Sequence, residues 1–100
     1  MKNFRTFDLA VAFYRQSRLI QLPCHLKDQL ARAAQSIALN LAEGRGKATR
    51  KDQVRFFYIA LGSARECQAA LILENLQATE AWKLLDKLAA SIYWLIRNAR

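Results

Sequence analysis

One hundred residues bound the chain to a single domain over 1–100, near the size at which burying a core is still marginal for a lone protomer. Fifty-three per cent hydrophobic residues beside one proline and three glycines exclude a turn-rich β protein and predict an all-α fold. The formal charge of +8 suits a polyanionic partner; no apolar run approaches the ~20 residues of a membrane span, and Asp8, Arg15 and Arg18 interrupt any signal-peptide block, so a cytoplasmic protein without membrane contact is expected.

In chain order, the first helix is predicted from about Thr6, as N-cap with Asp8 in the first turn, to about Leu22 before Pro23. Phe7, Ala10, Tyr14 and Ser17 share a face that Val11 and Phe13 widen. Cys24 and His25 then fall in a loop; the cysteines, Cys24 and Cys67, match no disulfide or zinc spacing and are read as free thiols, and His25 lacks companion metal ligands. The second helix is predicted from about Leu26 to Glu43, with a core stripe of Leu26, Leu30, Ala33, Ile37, Leu41 and Gly44. Ala31, Ala34, Ala38 and Ala42 line another side with small residues, allowing close helix approach. Gly44 and Gly46 are expected to stop the helix in the left-handed conformation that glycine adopts without penalty.

The third helix is predicted from about Thr49, as N-cap, to about Leu76. Val54, Phe57, Leu61, Ala64 and Leu71 form one side, and Phe56, Ala60, Cys67 and Ala70 another, so apolar surface nearly encircles it. That excess predicts a subunit interface. Gly62, mid-helix, costs ~1 kcal/mol relative to alanine, which close packing against another backbone would offset. The fourth helix is predicted from about Thr79 to Asn98, with Ala81, Leu85, Leu88, Ile92 and Leu95 as its seam. Short connections imply an antiparallel up-down-up-down four-helix bundle that assembles with itself.

The run QLARAAQSIALNLAEGRGKATRKDQVRFFYIALGSARECQAAL joins the motifs SI..N.AEG.G and IA.GSA.E at a fixed separation. It resembles the signature of the four-helix-bundle family of 23S rRNA intervening-sequence proteins, and the flanking helices extend the resemblance to essentially the entire chain. Leu41, Lys47 and Cys67 depart mildly from the family's commoner residues. The resemblance implies a cytosolic up-down bundle forming a homopentameric ring. It also includes a branch, the accessory variability determinants of diversity-generating retroelements, whose basic pentamers bind a reverse transcriptase and nucleic acid.

In an up-down-up-down bundle the chain's start, its second loop and its end share one pole. Lys2, Arg5, Arg45, Lys47, Arg50, Lys51, Arg55, Arg97 and Arg100 would gather there against Asp8, Glu43 and Asp52, while charges at the opposite pole cancel. Phosphates of RNA or DNA are the natural counter-surface, the alternative being a solvated end that aids solubility. Trp94, on the side of Lys83 and Lys87, either stacks a base or packs into a neighbouring subunit. Gln29, Ser36, Asn40 and Glu43 make a polar line that Ser63 and Glu66 can meet. No histidine occurs in either helix, so an internal network is expected, neither an enzyme nor a small-molecule or cofactor site. Ser36, Asn40, Glu43, Gly44, Gly62, Ser63 and Glu66 are thus structural. Two functions follow: a nucleic-acid-binding accessory ring, partnering a reverse transcriptase, or a non-catalytic scaffold for an unknown protein partner.

Overall fold

Four helices account for most of the chain in a computed structural model that describes residues 4–98: α1 (Arg5–Ser17), α2 (Cys24–Arg45), α3 (Arg50–Leu73) and α4 (Glu80–Asn98). No strand occurs among the described residues. Each of α1 and α3 packs against both α2 and α4, and the diagonal pairs do not meet, which is the contact pattern of a four-helix bundle. Every helix contributes to one core, whose largest fully buried side chains include Phe13, Ile37, Leu41, Leu71, Leu85, Leu88 and Ile92.

Helix ends follow local chemistry. Thr49 caps α3 by accepting the Asp52 amide at 3.2 Å, and Thr79 caps α4 by accepting the Trp82 amide at 3.2 Å, as predicted for both. Thr6, by contrast, is not a cap: it is buried in the first turn of α1 and shares a 2.6 Å hydrogen bond with Ser91 of α4. α1 stops at Ser17, short of the predicted Leu22. Ser17 donates to the Tyr14 carbonyl at 2.8 Å, and the Leu19 and Ile20 amides bond only three residues back, tightening the chain into a turn before Pro23. α2 begins earlier than predicted, so Cys24 and His25 occupy its exposed first turn. α3 ends at Leu73, short of the predicted Leu76, and is closed by Asn75 at φ 61°, with the Leu76 amide bonded to the Leu71 carbonyl at 2.8 Å and the Asn75 amide to the Ile72 carbonyl at 3.0 Å. That double closure satisfies the last carbonyls.

The glycines behave differently from expectation. Neither Gly44 nor Gly46 takes a positive φ. Gly44 lies inside α2, buried, and a Cβ there would sit 2.7 Å from Cε1 of Phe57 and 3.1 Å from Cβ of Phe56. Its purpose is the approach of α3, and α2 ends at Gly46 in right-handed geometry. Gly62 faces open space, with nothing within 4 Å of a Cβ built on it. Among the described residues no neighbouring backbone compensates it.

The core faces match the predicted stripes with small shifts. Leu26, Phe7, Tyr14 and Leu95 are half-buried, and Phe13 and Ile96 fill the core positions beside them. α3 leaves Tyr58, Ile59, Ile72 and Leu73 exposed, as α2 leaves Leu39. By length and composition α3 is also the one described helix able to cross a bilayer, correcting the expectation that no segment qualifies. The Arg65–Glu66 pair breaks the apolar run, yet an 18-residue stretch of the helix that contains it is still apolar enough on average.

Cys67 sits fully buried on α3, and burial, with Glu66 next in the chain, pushes its thiol up to about 12; Cys24 is exposed, and both are free. The native thiol therefore stays protonated where the unfolded one, near 9, ionises, so this contribution to stability is present below pH 9 and lost as pH rises towards 12. Urea unfolding across that range should show a decline that Cys67→Ala protein lacks. In native protein a thiol reagent should modify Cys24 and spare Cys67.

Candidate nucleic-acid interface

Side-chain contacts bring the start of α1, the end of α2 and the start of α3 together. The Arg45 guanidinium lies over the Phe4 ring at 4.4 Å, and Phe4, itself buried, stacks on Phe7. Lys47 and Arg55 approach the Phe56 ring at 5.1 and 4.6 Å. Lys47 also pairs with Glu43 at 3.0 Å, so Glu43 holds a donor beside the second loop as the sequence suggests. Each such exposed contact contributes only about 0.5–1 kcal/mol. Together they fix where the cations stand.

Arg5, Arg50 and Lys51 are exposed around this cluster. The amino end of α3 adds the positive end of a helix dipole behind Arg50 and Lys51, while the carboxyl end of α2 opposes it, with Gly46 and Lys47 amides covering its last carbonyls. α4 joins through the Thr6–Ser91 bond, and Arg97 lies six residues, about 9 Å, further along it. Arg97 donates to the Tyr93 hydroxyl at 3.2 Å, a bond that pushes its already high pKa further up. Lys2 and Arg100 lie outside the described residues. The rings of Phe4 and Phe56 were not among the predicted site residues. For Phe56 the signal in the sequence is the run of basic and aromatic residues over 50–57.

The polar line divides. Ser36 and Ser63 share a 2.8 Å hydrogen bond across α2 and α3, and the Asn40 amide donates to the Ser36 carbonyl at 2.9 Å and hydroxyl at 3.1 Å. Gln29, Arg32 and Glu66 line the groove outside that contact. His25 stands eleven residues, about 16 Å, back along α2 from Ser36. Among the described residues no histidine stands beside the serines, which tie two helices together. Among the described residues no cluster of three histidine, cysteine or carboxylate side chains is placed to hold a metal ion.

No curated protein and no solved structure matches the chain. The model of the 23S rRNA-intervening sequence protein family matches residues 5–93, from the first residue of α1 almost to the end of α4, taking in the Ser36–Ser63 tie, Gly44 and the basic loop. On that match across most of its length, the chain belongs to the 23S rRNA-intervening sequence protein family.

Proposed function

We propose that the chain is a nucleic-acid-binding accessory protein acting as a homopentameric ring in the cytoplasm. In this reading successive helices reverse direction, so the basic cluster repeats around one rim. The observation that carries it is the meeting of α1, α2 and α3 at a surface where Arg45, Lys47 and Arg55 are held on aromatic rings beside exposed Arg5, Arg50 and Lys51. Preplaced cations lose less side-chain freedom on meeting phosphates than free ones. The unpartnered apolar surface of α3 supports self-assembly. The family resemblance extends the reading to a reverse transcriptase as protein partner.

Binding of RNA or DNA by such a surface should fall steeply with salt: five phosphate contacts imply roughly a 500-fold loss between about 50 and 200 mM. Glutamate at Arg45, Lys47, Arg50 and Lys51 should abolish it, but two of these side chains also pack on rings. The cleaner variant is Arg5→Glu with Lys51→Glu, since both residues are exposed. It should lower the salt slope by about 2 with unchanged helicity and assembly. Unaltered affinity in that variant would favour the scaffold reading, in which the ring docks a protein.

A further inference from the structure

α4 carries a surface that the basic cluster does not explain. Lys83, Lys87, Ala90, Trp94 and Arg97 succeed one another at steps of four, three, four and three residues, which aligns them along one helix face, and all five are exposed. Trp94 is 62 % exposed, and Tyr93 beside it is 50 % exposed and held by Arg97. The stripe holds three cations; Glu80 stands three residues before Lys83 on the same face, at the end away from Trp94, and Asp86 borders it. Among the described residues neither lysine is ion-paired. From Lys83 to Arg97 it spans about 21 Å and ends near the basic cluster.

A subunit contact accounts poorly for this face. Packed interface cores are depleted in lysine, and a helix laid along Trp94, Lys87 and Lys83 would desolvate two cations that have no ion-pair partner among the described residues. The exposed apolar side chains Leu39, Ile59 and Leu73 form a separate surface on α2 and α3, with Arg55 one turn before Ile59. A ligand that offers flat apolar faces and regularly spaced negative charge matches both components at once.

We infer that this face of α4 is a track for single-stranded nucleic acid, with Trp94 stacking on an unpaired base while Lys83, Lys87 and Arg97 meet phosphates. The inference rests on the nucleic-acid reading above and adds the strand form, because a duplex keeps its base faces covered. Trp82→Phe leaves Trp94 as the sole indole. Its emission should be quenched by oligothymidylate of about 20 nucleotides and not by a duplex of equal length. Trp94→Ala should weaken single-strand binding roughly 5- to 150-fold at an unchanged salt slope, and Trp94→Phe should restore most of it. Lys83→Ala with Lys87→Ala should lower that slope by about 1.4.

Unquenched emission, together with wild-type affinity in Trp94→Ala, overturns the track and leaves the basic cluster standing. Sedimentation showing Trp94→Ala reduced to protomers also overturns it, in favour of a subunit contact. A wild-type protein with no affinity for either oligonucleotide overturns both readings.

Discussion

Gly44→Leu should destabilise the bundle by about 3 kcal/mol or more, a large share of the total stability of a domain this size. The first added atom already meets the Phe57 ring at 2.7 Å and the Phe56 Cβ at 3.1 Å. Phe57 is buried at 3 % exposure, so its ring has no open space to swing into, and the Phe56 Cβ moves only with the α3 backbone. Gly44→Ala opposes two effects: helix propensity favours alanine by about 1 kcal/mol, while overpacking costs about 1–3 kcal/mol. A net loss of up to about 2 kcal/mol is expected. Chemical denaturation followed by circular dichroism gives the values. Adding Phe57→Leu to Gly44→Ala should recover part of the loss, since the clash and the ring are one interaction counted twice. Additive losses in that cycle would show that Gly44 serves some other purpose.

The same glycine marks how far sequence reasoning reaches. Its place on the core stripe with Ile37 and Leu41 is legible from spacing alone, whereas the reason for having no side chain there lies in α3, a partner that spacing does not identify. A glycine near a helix end suggests a stop, and here tertiary contact supplied a different reason. The threonine caps on α3 and α4 were readable because an N-cap is a local event within three residues. Thr6 was misread because its hydroxyl is used 85 residues away, at Ser91. The Schellman closure at Asn75 went unseen because asparagine signals a left-handed turn less strongly than glycine.

The candidate site was legible as charge and illegible as geometry. The cluster of Arg45, Lys47, Arg50, Lys51 and Arg55 falls within the one stretch 45–55, and no folding argument is needed to see that it is basic. That Phe4, forty-one residues from Arg45, and Phe56 hold three cations on their rings depends on how the helices meet. Likewise the sequence lets Ser63 meet the polar line of Ser36, but their hydrogen bond is settled only when α2 and α3 are packed.

Ile59→Glu should convert an assembled protein into protomers while leaving each one folded. Ile59 on α3 and Leu39 on α2 are 44 % and 66 % exposed, and they stand one turn from the serines that join those helices, with Gly62 open beside them. In a lone protomer the substitution moves a carboxylate into water and should change stability by no more than about 0.5 kcal/mol. Within a subunit contact it places an unpaired charge in a desolvated patch, at a cost of several kcal/mol. That is enough to shift the dissociation constant by more than a hundredfold. Gly62→Ala separates the same two situations with opposite sign. On an open helix surface it should stabilise by about 0.5–1 kcal/mol, whereas under a closely packed neighbouring helix the added methyl should weaken association. Sedimentation velocity and thermal unfolding of the two variants over a range of concentrations read both quantities. A wild-type chain that sediments as a protomer throughout, and is stabilised by Gly62→Ala, would remove the ring and leave α3 an exposed apolar face.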